Sequence, residues 1–212
     1  MQKHQNVSFS KREAIDFGFK IAKENIVFFI GLFVIWAVIT IISSSIQHTL
    51  GVDKQTLMHF ILTLVSWVIS SIISMGFVNI TLKFVDGKKP EYKDLYYITK
   101  LFNFMLASLI RGLIVVVGFI LLIIPGIIFS IKLQFTEYLI VDKKMDAVDA
   151  IKASWEMTKG VKWNLFLLGL LLGLINILGF LCLVIGLIIT VPLAMIAEAY
   201  VYRKLLSQST IK

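Results

Sequence analysis

The feature that most limits how this chain can fold is a succession of uninterrupted apolar runs, each near the length of a bilayer crossing. They cover 26–46, 60–82, 101–124, 127–141, 163–181 and 183–202. A run of about 20 apolar residues enters hydrocarbon as a helix, because a helix satisfies its backbone groups internally. The chain is 58% hydrophobic and 16% charged, against roughly half and a quarter for globular domains. The pattern predicts an all-α fold: a polytopic membrane helix bundle of six transmembrane helices plus amphipathic interfacial helices, forming one membrane domain over 1–212. The run 127–141 is short for a crossing, which implies tilt or residues borrowed from before Pro125.

Between the runs lie basic segments. The N-terminal residues, 83–100, 142–162 and the C-terminal tail hold 18 of the 21 Lys and Arg residues, while the opposite loops hold Lys54. The positive-inside rule then puts both termini in the cytoplasm of a multi-pass cell-membrane protein. The net charge of +8 belongs beside lipid headgroups, not nucleic acid. Ser10 and Glu13 form a capping-box pattern opening an amphipathic helix over about 10–24, with Ile15, Phe19 and Ala22 at helical spacing. The first apolar run carries no small-residue cleavage site and reads as a retained anchor. Further interfacial helices are expected over about 91–100, opened by Pro90, and over about 145–158, where Val148, Ile151 and Trp155 share a face. Ala14-Ile15, Phe19 and Lys23 repeat as Ala150-Ile151, Trp155 and Lys159 at constant offset. That fits three units of interfacial helix plus two spans, or merely independent hairpins obeying the same charge rule.

Within the spans, Pro125-Gly126 is expected to turn the chain between the third and fourth helices. Pro192 should kink the sixth, and a tight turn is expected near 179–186. Ser66, Ser70 and Ser74 lie on one helical face, and Gly169 and Gly173 form a GxxxG pair; both suit close helix packing. Cys182 is the sole cysteine, which excludes an intrachain disulfide and reads as packing. His4, His48 and His59 lack metal-ligand spacing, and neither a phosphate loop nor a nucleophile elbow is present. The reading therefore has no catalytic residues, no metal and no cofactor, and is not an enzyme.

The informative residues are four ionisable groups inside apolar runs: Arg111, Lys132, Glu137 and Glu198. An unpaired charge deep in a bilayer costs at least about 2.5–3.5 kcal/mol, so such groups pair or face water. Three uses are open: an ion-pair clasp, a substrate or proton site, or snorkelling to headgroups.

The words Ile124-Pro125-Gly126-Ile127 and Tyr138-Leu139-Ile140-Val141-Asp142 carry a resemblance. So do Ala147 through Trp155, Thr158-Lys159-Gly160, Trp163 and Ala199-Tyr200-Val201-Tyr202-Arg203. The stretch from about 100 to 206 resembles a broad family of bacterial and archaeal integral membrane proteins of unknown function. That family includes YciC-like proteins and the membrane domain attached to some glycerophosphoryl diester phosphodiesterases. The resemblance implies six helical spans without established chemistry; within it Ser154 reads as a small residue on an interfacial helix. Three functions compete: a non-enzymatic protein binding the lipid bilayer and a membrane protein or peptide partner, a small transporter or channel, and an anchor for lipid metabolism. The oligomeric state is open.

Overall fold

A computed structural model describes residues 8–49, 57–182, 186–209 and 211. The leading seven residues, the loop 50–56 with Lys54, and the start of the last expected span lie outside the described residues. The described residues are helical without strands. The helices are α1 (Lys11–Glu24), α2 (Ile26–Thr49), α3 (Leu57–Val85), α4 (Leu101–Leu121), α5 (Ile123–Lys132), α6 (Thr136–Lys143), α7 (Ala147–Met157), α8 (Lys162–Leu181) and α9 (Leu187–Gln208). Five segments are long and apolar enough to cross a membrane: Ile26–Ser45, Leu57–Val85, Leu101–Leu121, Ile123–Lys143 and Lys162–Leu181. Of the stretch expected as a sixth span, 183–202, residues 187–202 lie in α9, which is not among them. Its apolar run contains Pro192 and Glu198 and ends at Arg203 and Lys204.

Helix α9 is the centre of the fold. Leu193, Ile196, Ala197, Val201, Tyr202 and Leu205 are buried along it. Against it packs α1, capped as expected by the Ser10 hydroxyl accepting from the Glu13 amide at 3.2 Å. The packed stripe of α1 is Ala14, Gly18 and Ala22, and a Cβ on Gly18 would stand 2.5 Å from the Leu193 carbonyl oxygen. The two run antiparallel, since the Ser8 backbone bonds to the Gln208 side chain while Gly18 meets Leu193. Of the residues expected on one membrane-facing stripe, Ala22 is buried in the bundle and Phe19 is 48% exposed. Small residues set the packing because they let backbones approach, a signal that a count of apolar positions does not weigh.

Three expected elements come out differently. The chain turns between α4 and α5 at Leu122, in extended conformation with φ −165° and ψ 153°, and not at Pro125-Gly126. Pro125 sits in the first turn of α5, where its missing amide costs nothing. Gly126 allows close approach instead: a Cβ there would meet the Phe119 ring at 2.5 Å, and one on Gly118 would meet the Gly126 Cα at 2.9 Å. The fourth span is two helices, α5 and α6, broken at 133–135. The 91–100 helix is a single 3₁₀ turn, Tyr92–Leu95. There the Asp94 carboxylate accepts from the Glu91 amide at 2.8 Å and from Lys83 at 2.6 Å, fastening the turn to α3 before a helix develops.

The packing stripes are corrected too. Nothing lies within 4 Å of a Cβ built on Gly169 or Gly173. Ser70 and Ser74 are exposed and Ser66 is half-buried. On α7, expected as an interfacial helix, the buried face is Ala147, Ala150, Ser154 and Met157, and the expected face of Val148, Ile151 and Trp155 is left exposed or half-buried. Periodicity identifies residues that share a face, not the face another helix covers. Pro192 is accommodated within α9. Cys182, expected as packing, caps α8 and is exposed.

Candidate functional site: an intramembrane polar cavity

The break between α5 and α6 leaves backbone groups that hydrocarbon cannot satisfy. Helix α7 supplies their partners. The Ser154 hydroxyl donates to the Lys132 carbonyl at 2.8 Å and accepts from the Phe135 amide at 3.2 Å. Ser154 is fully buried, so it is a backbone cap and not merely a small surface residue. The cap turns the chain so that Glu137, one residue into α6, faces α4.

There it meets Arg111, whose Nη1 donates to Glu137 Oε1 at 2.9 Å. The pair lines a cavity of about 480 Å³ walled by α3, α4, α5, α6, α8 and α9. Ser74 and Gly169, expected to pack helices, open into it. Glu198 of α9 lines the same cavity, is exposed to it, and has no ion-pair partner among the described residues. Also on the lining is Gln134, whose buried Nε2 has no hydrogen-bond acceptor there. The cavity therefore holds two carboxyl groups for one guanidinium, and an unused amide donor. Such a lining is polar on one side and carries more acidic than basic groups.

Lys132 is not brought to the cavity. Its Nζ sits 3.4 Å from the centroid of the Trp155 ring, a cation–π contact on the far side of the α5–α6 break. Of the four charged residues singled out in the sequence, Arg111, Glu137 and Glu198 share one site and Lys132 does not. Groups of three or more metal-ligating side chains do not occur among the described residues.

A second polar cluster lies where α3, α6 and α9 end. Arg203 donates through Nε and Nη2 to both oxygens of Asp86 at 2.8 Å, and through Nη1 to Asp142 at 2.7 Å. The Tyr202 hydroxyl donates to the same Asp142 oxygen at 2.9 Å. Sequence reasoning missed this cluster, since all three charges stood at span ends and passed as headgroup neighbours. The signal lay in the words themselves: Asp142 and Arg203 each close an aromatic, apolar word of the resemblance.

The fold and cavity define a class, an all-α protein with several membrane-length apolar helices. Within it, residues 105–209 match the family described as "Protein of unknown function (DUF975)". That segment contains Arg111, Glu137, Ser154, Glu198 and Arg203. The chain is 30% identical over 131 residues to "Uncharacterized protein Rv2560" of Mycobacterium tuberculosis, which is 61% of this chain and 40% of that protein. It is 36% identical over 102 residues to "Uncharacterized protein Mb2590" of Mycobacterium bovis, 46% of this chain and 31% of that one. The chain thus spans well under half the length of these curated relatives. No solved structure matches it.

Proposed function

We propose that the chain is a non-enzymatic, multi-pass protein of the cell membrane that binds a partner bearing a positive charge, a peptide segment or lipid-like amphiphile, in the polar cavity. The observation that carries this reading is Glu198, a carboxyl group open to about 480 Å³ of cavity whose one guanidinium is engaged by Glu137. Intramembrane charges are retained where they serve a pathway or ligand. In this reading α9 is the sixth span, with its polar groups turned to partners inside the bundle. Both termini are cytoplasmic. The ties among the basic segments support their lying together on one side: Lys204 to Glu13, Arg203 to Asp86 and Asp142, and Lys100 to Asp146; the positive-inside rule names that side. Kinship with YciC-like proteins and the phosphodiesterase membrane domain is part of the same proposal.

The test uses the purified protein in nanodiscs, titrated with tetraphenylphosphonium and, separately, with a Lys-rich amphipathic peptide. A rise in thermal midpoint is expected for the wild type, kept in Glu156→Gln and lost in Glu198→Gln. No rise with either probe, or an equal rise in all three proteins, overturns the cationic-ligand reading. Transport is the second reading, favoured by the broken helix beside the cavity. Glu198-dependent flux of tetraphenylphosphonium into proteoliposomes would establish it over static binding.

A further inference from the structure

On the other side of the wall formed by Ile131 and Phe166, which line both spaces, lies an apolar groove of about 280 Å³ between α5 and α8. Its floor is Ile124, Ile127, Ile128 and Ile131, one face of α5. Its rim is Lys162 and Trp163, at the start of α8. Trp163 is 77% exposed, the placement of an interfacial aromatic at headgroup level. Lys132 follows Ile131 in the chain and feels the like charges of Lys162 and Lys159 and the opposite charge of Glu156. Lys159 is neutralised by Glu156 at 2.6 Å. Neither Lys132 nor Lys162 makes a salt bridge among the described residues. Lys162 thus brings an ammonium group to one end of a groove that is otherwise hydrocarbon, with Lys132 within electrostatic reach of it. Like charges held together without a counter-ion are unfavourable until an anion joins them, and basic pockets between membrane helices at the cytoplasmic face suit anionic lipid headgroups.

We propose that this groove is a binding site for an anionic phospholipid, with an acyl chain against the α5 isoleucines and the phosphate between Lys132 and Lys162. The acyl chain fixes the choice of occupant: a free phosphate would leave the groove empty, and a zwitterionic lipid would bring its own cation to the two lysines. Trp155, already under the Lys132 ammonium at 3.4 Å, limits where that charge can go. The site is separate from the cavity of the proposed function and stands or falls independently of it.

The test compares the full chain in detergent micelles supplemented with phosphatidylglycerol, with phosphatidylcholine of the same acyl chains, or with inorganic phosphate. Thermal midpoint and lipid retention in native mass spectrometry are the readouts. The wild type should be stabilised by several degrees by phosphatidylglycerol, at least twice as much as by phosphatidylcholine, and not by phosphate. Lys132→Gln with Lys162→Gln should abolish that preference, whereas Lys88→Gln with Lys89→Gln, at an exposed turn, should keep it. Ile128→Trp, which fills the groove and leaves the charges, should also reduce phosphatidylglycerol retention. Equal stabilisation by the two lipids in the wild type overturns the proposal whether or not the variants fold. So does an equal effect of phosphate, or a preference lost equally in the Lys88/Lys89 variant.

Discussion

Two clusters of charge lie on this bundle, and they are built differently. Around Arg203, one guanidinium spends N–H groups on two aspartates, and Tyr202 adds a hydroxyl to one of them. Around Arg111, one guanidinium meets one of two carboxyl groups, and the other, Glu198, faces open space. The first arrangement ties the ends of α3, α6 and α9 and has nothing left over. The second keeps a group in reserve. A polar network whose members satisfy one another rigidifies a fold, whereas an unspent group in a cavity is poised for a ligand. On the proposed function, the difference separates charges that hold the fold from charges left for a ligand.

The largest effect expected from this comparison is at Arg203. Arg203→Met should strand Asp86 and Asp142 and cost about 3 kcal/mol, above the roughly 1 of exposed pairs and at the lower edge of the 3–5 of buried ones, because the Arg203 side chain is 25% exposed, that of Asp86 31% and that of Asp142 16%. Arg203→Lys should recover only part, because an ammonium cannot reproduce the two-pronged contact to Asp86. Thermal or denaturant unfolding in detergent measures both. A loss under about 1 kcal/mol for Arg203→Met would place this cluster among ordinary surface ion pairs and erase the contrast.

A second contrast concerns space. Gly18→Ala puts a methyl against the Leu193 carbonyl and should cost about 1–2 kcal/mol, overpacking outweighing the gain in helix propensity. Gly169→Ala, on the open side of the cavity, meets nothing and should be neutral or stabilising by up to about 1 kcal/mol. If the two substitutions behave alike, the α1–α9 contact is not close and the sealed half of the comparison fails.

The closed end also predicts an acid response. Burial pushes the Asp94 carboxyl up, but the Glu91 backbone amide and the Lys83 ammonium outweigh it and hold it below the ordinary aspartate range. A depressed carboxylate contributes stability above its unfolded value, and that contribution is lost as pH falls through the folded one. Unfolding followed below about pH 4, where a free aspartate protonates, should show a loss in the wild type that Asp94→Asn reduces. An unchanged acid limb in the variant would mean that Asp94 does not anchor the 83–100 turn.

Much of this fold was legible in the sequence. Five of the apolar runs and the Ser10 cap correspond to described elements because each rests on a local physical signal: length in hydrocarbon, a hydroxyl before a helix. The misplaced features depend on what the chain meets after folding. Pro125 marks a helix start as readily as a turn, and only the extended Leu122 decides which. Gly169 and Gly173 promise close packing, yet no helix comes. Half of the candidate site was visible as ionisable residues in apolar runs. That Lys132 leaves the group for Trp155 depends on the α5–α6 break. That break in turn depends on Ser154, about 20 residues later, bonding to the Lys132 carbonyl.

The smallest effect should come from the group held in reserve. Glu198→Gln removes a carboxylate that has no direct ion-pair partner and faces the cavity, so unfolding free energy should change by no more than about 0.5 kcal/mol, as for substitutions that break no named interaction. Glu137→Gln removes the partner of Arg111, whose side chain is 31% exposed and that of Glu137 23%. It should cost about 2 kcal/mol, between the roughly 1 of exposed pairs and the 3–5 of buried ones. The two are not independent, because in Glu137→Gln the remaining carboxylate on the cavity is Glu198. Adding Glu198→Gln to that variant should then cost more than it does alone, since Arg111 loses its last nearby anion. A double-mutant cycle reads this as a coupling of about 1 kcal/mol, within the range for residues sharing one network. If Glu198→Gln alone costs as much as Glu137→Gln, then Glu198 is a structural member of the clasp, and the open cluster is as closed as that around Arg203. Strict additivity would mean that Arg111 does not sense Glu198, and the cavity would lose the electrostatic link that makes its second carboxyl group a reserve.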